Sequence, residues 1–94
     1  MVAGDFTGNG RSDIAIFYDN GIVQEMHVFV SNGSTFVRQT NTWFVGSNYN
    51  MSRVAGLMVA GDFTGNGRSD IAIFYNNQMH VFVSTGSTFV RRIV

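Results

Sequence analysis

Two acidic turns carry most of the side chains in this sequence that could do chemistry. Asp5, Thr7, Asn9, Gly10 and Asp13 set oxygen-bearing residues at alternate positions around a glycine turn, and Asp62, Thr64, Asn66, Gly67 and Asp70 repeat the pattern. That spacing is the first half of a calcium loop. Calcium takes about six to eight oxygens, several of them charged. Each turn offers two carboxylates, a hydroxyl and an amide, and its twelfth position, Ile16 or Ile73, is apolar, so neither is an EF-hand. The structural assignment is favoured: Asp5 and Asp13 accept backbone N–H groups and pin the turn. No metal and no cofactor is expected.

Other catalytic arrangements fare worse. Four of the six acids belong to the turns, leaving Asp19 and Glu25 as the pair free to face each other across a pocket, as glycoside hydrolysis requires. There is no nucleophile elbow and no phosphate loop. The chain is not expected to be an enzyme. His27 and His80 occupy equivalent positions with a Phe two residues on, and no acid or second histidine converges on either. They are expected to be hydrogen-bonded strand histidines, with ligand contact as the second reading. Trp43 and Tyr49 lie at the two ends of a linker. They form either an aromatic platform for a sugar ring or packing between structural units.

The elements that position these residues come from a repeat. MVAGDFTGNGRSDIAIFY at Met1–Tyr18 returns letter for letter at Met58–Tyr75, and MHVFVSNGSTFVR at Met26–Arg38 returns at Met79–Arg91 with Thr85 in place of Asn32. The offset falls from 57 to 53, so the second unit has lost four residues between the blocks. Residues 1–57 form the first unit with its linker, and residues 58–94 a second unit without one. In the first, Val2–Phe6 is a short apolar strand whose Gly4 implies close backbone packing. Thr7–Ser12 is a turn, and Asp13–Tyr18 is a strand apolar on both faces, as in the middle of a stack of sheets. After the polar loop Asp19–Glu25 comes Met26–Ser31, with Met26, Val28 and Val30 on one face and His27, Phe29 and Ser31 on the other. Asn32-Gly33 marks a hairpin, and Thr35–Phe44 runs on as a long, polar edge strand. Gly46–Met51 is a linker without periodicity, and Ser52–Leu57 leads into the next first strand. No helix is expected.

Composition bounds the partners. The 94 residues hold six Arg, no Lys and six acids, for zero net charge. No basic patch marks a nucleic-acid interface, and no apolar run is long enough to insert in a membrane. There is no cysteine for a disulfide. The absence of a signal-peptide pattern, with Met1 at a repeat boundary, suggests cytosolic or recombinant expression of a chosen segment, and no location is assigned. Eleven Gly and no Pro fit many tight turns between short strands.

Each unit therefore reads as four antiparallel strands. In such a meander the 1–2 and 3–4 turns share one end, and the 2–3 loop and the linker share the other. Trp43, Asn48, Tyr49 and Arg53 should gather near Tyr18, Glu25 and His27, with Tyr75, Gln78 and His80 as partners from the second unit. These aromatics, amides and a guanidinium suit a neutral polyol.

Gly4–Ile14 and Gly61–Ile71, both GDFTGNGRSDI, resemble the blade signature of FG-GAP/VCBS-type β-propellers. The continuation through IAIFY, MHVFVS, GSTF, a Trp and the Tyr49–Arg53 linker is similar to the seven-bladed propeller lectins of Photorhabdus type. The resemblance implies an all-β fold of propeller blades, two per chain, and non-catalytic binding of fucose- or galactose-type saccharides between blades. The near-identity of the copies suggests a recent duplication or an engineered repeat, which makes a self-assembling scaffold without strong ligand binding the alternative. A calcium-loop adhesion propeller is a third reading. Two blades leave apolar faces and edges in water, so the ring is expected to close by homo-oligomerisation, as a six-bladed trimer or an eight-bladed tetramer.

Overall fold

The computed structural model describes residues 1–54 and 56–94. Glycine and asparagine turns divide the first unit into β1 (Val2–Gly4), β2 (Asp13–Asp19), β3 (Gln24–Ser31), β4 (Phe36–Arg38) and β5 (Phe44–Gly46). One helical turn, α1 (Met51–Val54), leads to the second unit, built of β6 (Met58–Gly61), β7 (Asp70–Tyr75), β8 (Gln78–Ser84) and β9 (Phe89–Ile93). Each unit is an antiparallel meander, β1-β2-β3-β4 and β6-β7-β8-β9, with β5 added to β3 beyond β4. The two sheets share a register: Val2 faces Ala15 as Val59 faces Ala72, and Ala15 faces Val28 as Ala72 faces Val81. The fold is all-β, and the sheets have the form of propeller blades.

The missing four residues have a local explanation. In the second unit the β7–β8 connection is the two-residue turn Asn76–Asn77, with φ of 50° and 60°. Two positive φ values in a two-residue loop match the twist of the flanking strands. In the first unit β2 extends one residue and β3 two residues further than the apolar pattern suggests. Their loop is closed by Asn20, whose side-chain oxygen accepts the N–H groups of Ile22 and Val23 at 2.9 Å.

Two sequence expectations are corrected. The long strand over Thr35–Phe44 is broken: Arg38 pairs with Phe29 and Phe44 with Met26, so six steps on one side oppose three on the other. Three residues, Thr40 to Thr42, are looped out. Polar throughout, they gain more from solvent and from the second unit than from the ladder, and the Asn41 side-chain amide donates to the Ser87 carbonyl at 2.9 Å. No helix is expected, yet Met51–Val54 at the end of the linker forms α1. Asn50 caps it, its side-chain oxygen accepting from the Ser52 N–H at 3.1 Å. A single turn is too short to leave a periodic signal.

The core lies between the two sheets, and they meet with unlike faces. From the first unit come Ala15, Met26 and Val28, and from the second Ile71, Ile73 and Phe82, all fully buried. Aromatic edges lock the seam, with Phe44 on Phe82 at 4.8 Å, Phe6 on Phe89 at 5.6 Å and Phe17 on Phe82 at 6.2 Å. Gly4 permits the approach: a Cβ there would lie 2.8 Å from the Ser69 Cβ. Asp5 and Ser69 bond across the same point, the Asp5 N–H to the Ser69 hydroxyl and the Ser69 N–H to the Asp5 carbonyl. No helix among the described residues is long and apolar enough to cross a membrane.

Candidate functional site

The acidic turns are built from their own backbone. Asp5 accepts the N–H groups of Gly8, Asn9 and Gly10 at 2.8, 3.0 and 2.8 Å, and Asp62 accepts those of Gly65, Asn66 and Gly67 at 2.7, 3.1 and 2.9 Å. The Gly67 N–H above all, joined by those of Asn66 and Gly65, holds the Asp62 carboxyl below its ordinary value. Asp13 and Asp70 are fully buried and look the other way. They tie β3 and β8 to the turns through the N–H groups of Ser31 and Ser84 and the hydroxyls of Thr7 and Thr64. Each carboxylate is thus engaged with protein donors. Among the described residues no cluster of three or more His, Asp or Glu could hold a metal.

The remaining acids do not form a hydrolytic pair. Asp19 stands opposite Gln24 in the ladder and Glu25 is the next residue along, so the two carboxylates project from opposite faces of the sheet. Asp19 caps the Gly21 N–H at 2.8 Å, and Glu25, against the expectation that no acid converges on either histidine, lies 3.0 Å from His27 Nε2, two residues along the same strand face.

Of the linker residues expected to gather, Asn48, Tyr49 and Arg53 meet around Tyr75 of the second unit. Tyr49 packs against Tyr75 at 5.0 Å and His80 at 5.5 Å. Tyr75 anchors the linker: its hydroxyl donates to the Asn48 carbonyl at 3.2 Å and accepts from the Asn50 N–H at 2.7 Å. Arg53 lies over the Tyr75 ring at 5.0 Å and donates to the Asn76 side-chain oxygen at 2.6 Å. Gln78 pairs with Tyr75 in the ladder and is exposed. Tyr18, Glu25 and His27 were expected in the same group. They occupy the far face of the first sheet, where Tyr18 packs on His27 at 6.3 Å. The linker has a face to pack on only where a second unit follows it.

Trp43 separates from Tyr49. Its ring packs on Phe89 at 5.0 Å, and its carbonyl accepts the Phe89 N–H. Trp43 is 3% exposed and Tyr49 5%, so both serve packing between units and neither offers an open ring face.

His80 is the charged end of this seam only in principle. Arg91 donates to the Tyr49 oxygen at 3.2 Å, and the Tyr49 hydroxyl lies 2.6 Å from His80 Nδ1. With Arg91 donating, Tyr49 donates onward, which makes Nδ1 the acceptor and leaves the proton on Nε2. Burial, then the nearby Arg91 charge, lowers the His80 pKa from its ordinary 6.5. The unfolded chain therefore takes up a proton that the folded chain refuses. This contribution to stability is complete above pH 6.5 and is lost as pH falls from there through the depressed folded value. The melting temperature is expected to drop on acidification across that window, and His80→Asn should flatten the slope. An unchanged slope in His80→Asn would show that His80 is not the group responsible.

The open part of the junction lies beside Arg53. Ser52, Arg53, Leu57, Phe74, Tyr75, Asn76 and Asn77 line a cleft of about 640 Å³. Sequence reading found Arg53 and Tyr75 but missed Asn76, Asn77, Phe74, Ser52 and Leu57. It also missed Gln24, whose side-chain oxygen accepts the Tyr49 N–H at 3.1 Å, and Arg91. The Asn76–Asn77 dipeptide was the available signal: a tight turn at the linker end presents two amides beside it.

Two paired four-stranded meanders, joined face to back and carrying a repeated acidic turn, define a repeat protein of the propeller-blade class. The family model of the FG-GAP-like repeat matches residues 5–73, and the chain belongs to that family. Searches of curated proteins and of solved structures give no match.

Proposed function

We propose that the chain is a non-catalytic propeller module that binds a neutral saccharide in the cleft beside Arg53. One observation carries the reading: an exposed guanidinium held over the Tyr75 ring and fixed by Asn76 at the rim of an open cleft. Phe74 and Leu57, both about half exposed, supply apolar surface for sugar C–H groups, while Arg53, Asn76 and Asn77 supply hydrogen bonds for hydroxyls. The likeness to seven-bladed lectins favours fucose- or galactose-type ligands. The burial of Trp43 and Tyr49 favours a second reading, a structural repeat that binds nothing strongly.

A glycan array, run with and without chelator, separates the readings. Binding by the parent is expected to survive chelator, and Arg53→Ala is expected to weaken it by about tenfold or more. Binding that chelator abolishes would move the function to the acidic turns. A parent that binds no glycan, or an Arg53→Ala variant that binds as well as the parent, leaves the structural reading.

A further inference from the structure

The two copies of the repeat bury opposite faces. In the first unit the face bearing Ala15, Met26 and Val28 is covered by the second unit. In the second unit the covered face is the other one, bearing Ile71, Ile73 and Phe82. Within the repeated blocks both sheets carry the same residues, so Met26, Phe6 and Phe89 have twins elsewhere on the chain, while Trp43, Phe44 and Tyr49, which also pack in the seam, have none. Met26 is 0% exposed and its twin Met79 41%; Phe6 is 0% and Phe63 54%; Phe89 is 5% and Phe36 52%.

We infer that a second copy of this chain docks head to tail, its Met79 face seating on the Phe29 face of the first unit as Met26 seats against the Phe82 face within one chain. Phe63 of one copy then meets Phe36 of the next, as Phe6 meets Phe89 inside the chain. Ser12 and Ser31 can repeat the cross-unit bonds of their twins Ser69 and Ser84, which hold the backbone of Asp5 and Phe6; the Ser31 hydroxyl accepts the Gly33 N–H just as that of Ser84 accepts the Gly86 N–H while donating to Phe6. The free Phe29 face carries two concavities, of about 240 and 440 Å³, that share Ile16 and Phe29 in their walls. The occupant is specified because the molecule already contains a copy of its repeated blocks, pressed against a surface of the same residues. The contact joins unlike faces, so it leaves one free face of each kind and repeats until the assembly closes.

Single-face variants test this, since Met26 and Phe82 remain to hold each chain together. Met79→Glu and Phe29→Glu each put a carboxylate into one half of the contact, and an unpaired buried charge should weaken it by about 100-fold or more. In sedimentation the parent is expected as an assembly of whole chains, and each variant alone as a single 10.4 kDa chain. An equimolar mixture is expected to form dimers, because each variant retains the face that the other has lost. If Phe29→Glu does not fold, Phe36→Glu on the same face replaces it. A single-chain parent, a single variant that still assembles, or a mixture that stays monomeric overturns the inference. Met79 shares its face with Phe74, which lines the Arg53 cleft, so docking would cover part of that wall; sedimentation without glycan reads the assembly alone, whether or not the cleft binds a saccharide.

Discussion

Phe82→Ala is expected to lower the free energy of unfolding by about 3–5 kcal/mol, and Phe29→Ala by about 1 kcal/mol in dilute single chains. The two residues are twins in the repeat, flanked by the same sequence HVFVS. Phe82 is fully buried, with Phe17 and Phe44 packed edge-on at 6.2 and 4.8 Å. Its loss removes the transfer energy of a ring and leaves a cavity that two sheets cannot close around. Phe29 is half-buried on the free face and leaves a dent that water fills. For a domain of this size the larger loss corresponds to about 15–25 °C in melting temperature. Thermal unfolding followed by circular dichroism would decide the matter. Equal shifts for the two variants would mean that the sheets do not stack as described.

Trp43→Ala is expected to cost a similar 3–5 kcal/mol, while Trp43→Phe should stay within about 1.5 kcal/mol. The indole packs on Phe89, and its Nε1 is buried with no hydrogen-bond partner among the described residues. Phenylalanine would keep most of the ring contact and remove an unsatisfied donor. The effect of Trp43 on ligand binding should therefore pass through stability. Below its melting transition, Trp43→Ala should bind whatever the parent binds, because Trp43 lies outside the Arg53 cleft. Urea unfolding gives the stability arm. A Trp43→Ala variant as stable as the parent but unable to bind would return the residue to the ligand site.

The pair of sheets was legible in the sequence because turn chemistry and repetition agree. Gly10, Asn32-Gly33 and their copies end strands where the chain turns, and the positive φ of 85° at Gly10 and 95° at Gly33 is what those residues supply. The capping role of Asp5 was legible for a similar reason, since a short acidic side chain beside a glycine turn satisfies backbone donors locally; Asp13 was expected to do the same but takes its backbone N–H from Ser31 of β3 and reaches the turn through the Thr7 hydroxyl. Burial of the aromatics was less legible. Whether the Met26 or the His27 face of a strand is covered depends on which side its neighbour stacks, and the sequence of one unit is the same in either case. For that reason Tyr18 and Tyr75, identical in local context, are 51% and 6% exposed. The break between β4 and β5 was hidden too, because Trp43 and Phe44 continue an apolar pattern that only the partner strand shows to be out of step.

The shared register of the two sheets bears on how the chain reaches its fold. Strand β2 could pair with β8 as well as with β3, since MHVFVS is the same in both and presents the same ladder. Contact energies alone do not choose. The separation along the chain does: four residues lie between β2 and β3, from Asn20 to Val23, against 58 between β2 and β8. Closing the longer loop costs about 2 kcal/mol more entropy, so the nearest hairpin wins by chain statistics rather than by complementarity. The short connections at Asn20–Val23 and Asn76–Asn77 thus act as sorting devices, keeping two interchangeable sets of strands from trading members.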